Sequence, residues 1–348
     1  MSILLIDGLD AYPAALAGSE GNLWTVYDIA NQAGGWSFVP GRFGFGRALR
    51  RTPGTGSDVS VERAISEQTT IVVGFAYRGE TGALQSLARS ILQLRSASGI
   101  QCGLGVNTSG HLFAHQVSTG TIIATATTDE VWDHNSFVYL EVKAVIHAST
   151  GSFEVWQNGT KVINATNVNT KGQSESGVDL IRWQTPTNNW TAVQIDDIYV
   201  TNSEQFGDSF IATVRPNADT ADDDWVPSQL GAENFAMVDD DQADGDNTYV
   251  LSGTPGDVDL YGHDGLPSTG IPSIHAVQVT ALARRSAGSP EVRTVLKSDD
   301  TTEEGSSVAV ATSYGYIHSI YTEDPDTSMA WEEAGVNAAL FGFENSSS

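Results

Sequence analysis

The chain has 348 residues and a formal net charge of −26, from 43 acidic and 17 basic side chains. That length suits two domains better than one core, and so acidic a chain is a poor partner for nucleic acid or an anionic membrane surface. A single cysteine, Cys102, excludes an internal disulfide framework.

The run Ile3 to Ile6 reads as a short apolar strand ending at Asp7. It lacks the basic lead of a signal peptide, and no stretch approaches the roughly 20 apolar residues of a membrane-spanning helix. A turn-rich stretch follows, with Trp24, Trp36 and the Gly/Arg segment Gly41 to Arg51. Thr69 to Arg78 is a continuous apolar run between polar ends, a buried strand. Ile91 to Ser96 and Gly99 to Gln116 read as further strands, with a hairpin turn at Asn107 to Gly110.

The clearest pattern lies between Ser136 and Asn164. Val138, Leu140, Val142 and Ala144 or Val145 alternate with Tyr139, Glu141 and Lys143, which places the first set inward and the second toward solvent. Ser149 to Gly151 turns the chain, Phe153 and Val155 face inward on the next strand, and Asn158-Gly159 makes a second hairpin. Ala192 to Val200 is a terminal strand. The composition then shifts near Asn202 to Gly207: residues 1–202 carry 17 acidic and 12 basic groups, whereas residues 203–348 carry 26 and 5. The boundary is placed there, with domains 1–204 and 205–348. The second begins with Asp208 to Asp219, passes through acidic loops at Ala221–Trp225 and Asp239–Tyr249, and continues in strands at 274–285, 291–298, 306–323 and 337–344. Trp331 to Asn337 is predicted to form one helical turn. The fold class expected is all-β, two jelly-roll-like β-sandwich domains in tandem.

The segments W132-D-H-N-S-F-V-Y-L-E-V-K-A-V-I-H, G151-S-F-E-V-W-Q-N-G-T-K-V-I-N and I195-D-D-I-Y-V resemble the concanavalin A-like, laminin-G-type jelly roll. The opening L4-L-I-D-G-L-D-A-Y is similar to the first strand of that family as it occurs in phage and prophage proteins. Residues 207–348, through G207-D-S-F-I-A-T-V-R-P-N-A-D, A276-V-Q-V-T-A-L-A-R-R and S313-Y-G-Y-I-H-S-I-Y-T-E-D-P, resemble a second domain common in phage virion proteins. The resemblance implies a structural component of a bacteriophage particle, on a tail, baseplate, fibre or capsid surface, located in the virion. It implies docking to other virion proteins and self-assembly, a trimer being preferred. The alternative is a lectin-like receptor-recognition module for a host surface glycan, with Trp156, Trp183 and Trp190 as candidate stacking residues against their ordinary use as core.

No catalytic role is expected. Glycosidases on the concanavalin fold carry Glu-x-Asp-x-x-Glu on one strand, which is absent here, as is the Gly-x-Ser-x-Gly of a nucleophile elbow. Glu141 and Glu154, on neighbouring strands, read as solvent-facing. His111 and His115 are four apart on a strand, about 13 Å at ~3.3 Å per residue, too far to share a zinc ion, and read as surface histidines. Cys102 reads as a buried thiol. Arg42, Arg47, Arg50 and Arg51, with Phe43 and Phe45, read as a docking loop or solvated surface rather than a nucleic-acid contact. No cofactor is expected. Within the acidic run, Asp240, Asp244 and Asp246 are candidates for a calcium or other cation site, weighed against a solvated loop. The spacing fails the EF-hand pattern because its twelfth position is Leu251.

Overall fold

The computed structural model describes residues 2–12, 25–28, 36–51, 59–79, 88–117, 120–130, 136–185, 192–267 and 269–347. They are nearly all β, with short helical turns at Phe235–Met237 and Glu333–Ala338, the second on the predicted turn. No helix among them is long and apolar enough to cross a membrane. The chain divides into two compact units, one made mainly of Trp24–Ile211 with Met1–Asp10, the other mainly of Ala212–Ser348.

Among the described residues the first unit has fifteen strands. In chain order they are β1 (Ile3–Asp7), β2 (Thr25–Asp28), β3 (Trp36–Pro40), β4 (Arg47–Arg51), β5 (Val59–Gln68), β6 (Thr70–Gly79), β7 (Arg89–Ser96) and β8 (Gly99–Val106). There follow β9 (His111–Gln116), β10 (Ile122–Glu130), β11 (Val138–Val145), β12 (Gly151–Gln157), β13 (Thr160–Val168), β14 (Val178–Thr185) and β15 (Val193–Thr201). One sheet runs β13-β12-β11-β6-β15-β4-β3 with β1 on β15; the other runs β10-β9-β8-β7-β14-β5-β2. Every pairing among these strands is antiparallel; β7–β10 and β11–β13 are meanders within one sheet each, while β4–β5, β5–β6, β6–β7, β10–β11, β13–β14 and β14–β15 cross between the two sheets of the sandwich.

The alternation in β11 and β12 does what period two dictates. Val138, Leu140, Val142, Ala144, Phe153 and Val155 are all buried, with Val142 opposite Val155 and Ala144 opposite Phe153. Asn158 and Gly159 both take positive φ, 47° and 76°, as a tight two-residue hairpin demands. The outer face departs from expectation. Tyr139 and Glu141 are 1% exposed, because the segment 204–211 lies over them: Glu141 accepts hydrogen bonds from the Tyr199 hydroxyl and from Gly207 N–H.

The second unit is built on a sheet of strands 216–223, 258–263, 340–345, 291–298 and 301–304, in that order, with 308–309 also on 291–298. Strands 277–283 and 315–321 form a separate ribbon. Its core gathers Val279, Leu296, Tyr321, Trp331, Val336 and Ala339. Buried Asp259 is fully used by Trp225 N–H, Asn234 Nδ2 and the Tyr261 hydroxyl.

Candidate functional site

Trp183 on β14 meets Phe75 of the opposite sheet edge to face, at 5.8 Å between centroids. This fixes which side of the seven-stranded sheet is interior. Ile181, Leu92, Leu94 and Leu104 share that side and are at most 1% exposed. The intervening residues therefore project from the outer face. Cα partners on that face fall into one line across five strands: Glu62 opposite Arg182, Arg182 opposite Gln93, Gln93 opposite Gly103, and Gly103 opposite His115.

The side chains of this row are tied to one another and to their strand neighbours. The Arg182 guanidinium pairs with the Glu62 carboxylate. Gln93 donates to Gln184 Oε1 and accepts from Arg95 Nη1 at 3.0 Å. His115 Nε2 lies 3.0 Å from Ser90 Oγ. Glu62, Gln93, Ser90 and His115 are buried, whereas Arg182, Gln184 and Arg95 are half-buried. Burial lowers the His115 pKa to about 4, so the ring is neutral at physiological pH. Its Nδ1 has no hydrogen-bond partner among the described residues.

The row presents two guanidinium groups and an amide, on half-buried Arg182, Arg95 and Gln184, in a geometry fixed by their bonds to the buried Glu62 and Gln93. Such a set both donates and accepts hydrogen bonds at defined points, which is how polar ligands are oriented on a rigid surface. The pair joins a half-buried guanidinium to a buried carboxylate, and such pairs contribute little net stability.

Sequence reasoning singled out only His115 from this row, and as a surface residue. It is 0% exposed, because it folds back over the sheet instead of projecting into water. His111 is half-buried. Of the stacking candidates, Trp183 is core, Trp156 is half-buried with Lys161 Nζ 4.5 Å from its ring centroid, and Trp190 lies outside the described residues, as does Trp24. Glu154 is held by Lys161 rather than facing Glu141. Cys102 is buried on β8, and burial raises its pKa. Arg42 and Arg51 are not solvated: Arg42 pairs with Asp208 at 2.7 Å and Arg51 is 5% exposed. Phe43 and Phe45 are exposed and stacked on each other.

The cation candidates separate into two places. Asp240 and Asp244 share the Thr248 hydroxyl, at 3.3 and 3.0 Å. Asp246 instead accepts from Arg284 at 2.8 Å and from the Tyr314 hydroxyl at 2.6 Å. Among the described residues no group of three or more His, Cys, Asp or Glu side chains is placed to hold a metal ion.

No protein-family model matches the chain, and no curated protein does. Among solved structures it is similar to a carbohydrate esterase from the Shiga toxin-encoding bacteriophage phi24B, at 15% identity over 57% of this chain and 100% of that one, TM-score 0.40. It is similar to the carbohydrate-binding module CBM66 from Bacillus subtilis, at 15% identity over 52% and 96%, TM-score 0.34. It is also similar to the alginate lyase Aly36B, at 12% identity over 56% and 100%, TM-score 0.36. Of a sialidase it spans only 17% of the length. These likenesses are of fold alone. They correct one expectation: the structures similar to this chain include alginate lyases and a carbohydrate esterase, so lacking two sequence motifs does not mark the chain as a non-enzyme.

Proposed function

We propose that this chain recognises carbohydrate on the outer face of its seven-stranded sheet, as a component of a bacteriophage particle. The observation that carries the reading is the straight row Glu62–Arg182–Gln93–Gly103–His115, with Gln184, Arg95 and Ser90 bonded into it. Sugar hydroxyls donate and accept at once, and an array of fixed amides and charged groups meets both needs. The placement in a virion rests on the resemblance of the opening segment and of residues 207–348 to phage proteins, and the homotrimer on the threefold symmetry common in fibres and spikes.

The test is a glycan array carrying bacterial surface polysaccharides, probed with the whole chain, followed by calorimetry on any hit. Gln184→Ala, at a half-buried position, is expected to weaken binding at least tenfold, with stability lowered by about 1–3 kcal/mol for the Gln93 donor it leaves unmet and the fold retained. Incubation of the hit with the chain, read by reducing-end and acyl-release assays, shows whether binding is accompanied by turnover. Failure to bind any glycan, or binding indifferent to Gln184→Ala, overturns the proposal.

A further inference from the structure

The stretch Glu204 to Ile211 closes the first unit, and side chains of that unit hold it by name. Glu141 accepts Gly207 N–H at 2.8 Å, the Tyr199 hydroxyl accepts Phe206 N–H at 2.9 Å, and Asp197 Oδ1 accepts Ile211 N–H at 2.8 Å. Arg42 grips Asp208. Ile211 seats against Gly8, where a Cβ would lie 3.0 Å from Ile211 Cγ2. The stretch is a strap laid on the sheet.

Beneath it sit Asp10, Asp196 and Asp197, each at most 5% exposed. Asp196 Oδ2 accepts Arg42 N–H at 2.8 Å, and Asp10 Oδ1 accepts Arg47 N–H at 2.5 Å. Asp197 has left-handed backbone, φ 49°, at the irregularity where β15 leaves register with β6. Its Oδ2 makes no hydrogen bond and stands 3.7 Å from Arg42 Nη1. A cavity of about 10 Å³ opens between these groups, room for about one water. The charged and titratable groups facing the pair are Asp10 from the end of β1, Arg42 and Arg47 from the β3–β4 turn, Tyr139 from β11, whose hydroxyl donates to the Asp197 carbonyl at 3.1 Å, and Asp208 on the strap.

We propose that the Asp196–Asp197 pair is a pH-sensitive latch, holding the strap 206–211 down at mildly acidic pH and releasing it as pH rises. The geometry supplies the reason. Arg42 is bonded to both the pair and the strap, and once Asp196 and Asp197 are both ionised they and Asp208 set three carboxylates around its single charge. Burial, and then the neighbouring carboxylate, push Asp196 up to about 8; burial pushes Asp197 up to about 6 against the pull of Ile211 N–H and Arg42. Both values stand above the ~3.9 of a free aspartate. Opening the strap admits water to both carboxyl groups and removes the burial that raises them, so the closed strap binds more protons than the open one. Its stabilisation is complete below about pH 4 and is lost as pH rises through 6 and 8.

The experiment is hydrogen–deuterium exchange of the full chain from pH 5 to pH 9, corrected for intrinsic rates. Protection at Phe206, Gly207 and Ile211 is expected to fall at least tenfold across that range while Val72 to Phe75 stay protected. Asp196→Asn keeps an oxygen for Arg42 N–H but cannot ionise, and it is expected to hold the strap at pH 9. Asp208→Asn weakens the grip of Arg42 and is expected to lower protection at every pH while keeping the pH dependence. Flat protection in the native chain, or an Asp196→Asn profile that follows the native one, overturns the latch. So does a carboxyl-carbon NMR titration of the native chain in which both aspartates titrate below pH 5, a readout that needs no variant.

Discussion

His115 on β9 reaches across β8 to place Nε2 3.0 Å from Ser90 Oγ on β7, and the strand between them makes room with Gly103. A Cβ there would lie 2.7 Å from His115 Nε2 and 2.5 Å from the Leu92 carbonyl oxygen. The glycine is thus a spacing element of the proposed binding face. Gly103→Ala should push the imidazole off Ser90 and cost about 1–3 kcal/mol through overpacking, read as a lowered denaturation midpoint. An alanine variant as stable as the native chain would show that the ring does not lie over β8.

The same histidine predicts an acid response. Its folded pKa, lowered to about 4 by burial, stands below the ~6.5 of a free imidazole. The unfolded chain then binds the extra proton between those values, so the contribution to stability is present above about pH 6.5 and is lost as pH falls toward 4. The Asp196–Asp197 pair has the opposite sign over an overlapping range, so the total curve does not isolate either. The difference between native chain and His115→Gln does. Melting curves of the two should converge as pH drops from 7 to 4.5; parallel curves would mean that His115 titrates in the fold as it does in the unfolded chain.

Arg182 and Glu62 test whether the row is there for stability. Removing one partner strands the other: Glu62 is 3% exposed, and Arg182→Ala should cost about 2–3 kcal/mol, below the fully buried case because Arg182 is 22% exposed. Replacing both, as Arg182→Met with Glu62→Leu, should recover most of that loss. Urea titrations of native, single and double variants decide it. A double variant as unstable as the single would assign the pair to the architecture.

What was legible in the sequence follows the strength of the local signal. The β11–β12–β13 meander was readable because one face is apolar and the turn Asn158-Gly159 has a single good conformation. Val142→Asp there should cost roughly 3 kcal/mol or more, by burying a charge without a partner. The burial of Glu141 was not readable. Period two says that it shares a face with Tyr139 and Lys143, but not that a segment more than sixty residues later covers that face. The binding row was invisible for a related reason. Its members come from β5, β14, β7, β8 and β9, and only the order of strands in the sheet lines them up. Glu62 and Gln93 look like ordinary polar positions on alternating strands, and a glycine at 103 carries no signal until His115 lies over it.

The strap also bears on where the first unit ends. Charge and composition place the boundary at 204/205, yet Phe206, Gly207 and Ile211 donate to Tyr199, Glu141 and Asp197. A chain ending at residue 204 loses those three bonds and leaves Glu141 short of one donor and Asp197 without Ile211 N–H. With the cover gone those acceptors turn to water, so each lost bond costs about 0.5–1.5 kcal/mol net. The fragment 1–211 should therefore melt several degrees above 1–204 at pH 6, with the gap narrowing at pH 9 as the latch opens. Equal melting temperatures at pH 6 would show that the strap adds nothing to the first unit.

The acidic loop of the second unit gives the last test. Asp240, Asp244 and Asp246 lie within seven residues, and their mutual repulsion must be offset by something. The fold answers part of that with protein groups. Asp246 is held by Arg284 and the Tyr314 hydroxyl, which lower its pKa, the hydroxyl contributing most, so it is committed away from the other two. Asp240 and Asp244 share one threonine hydroxyl, and burial, with the Asp244 charge next, raises the Asp240 pKa. Two carboxylates and a hydroxyl fall well short of the six to eight oxygens that calcium takes. A specific ion would stabilise the fold by the logarithm of its concentration over its dissociation constant, whereas screening acts on all the loop charges alike. Melting curves with EDTA and with millimolar calcium, at fixed ionic strength, should therefore superimpose. A rise of several degrees with calcium that disappears in Asp244→Asn would mean that the loop closes on a cation.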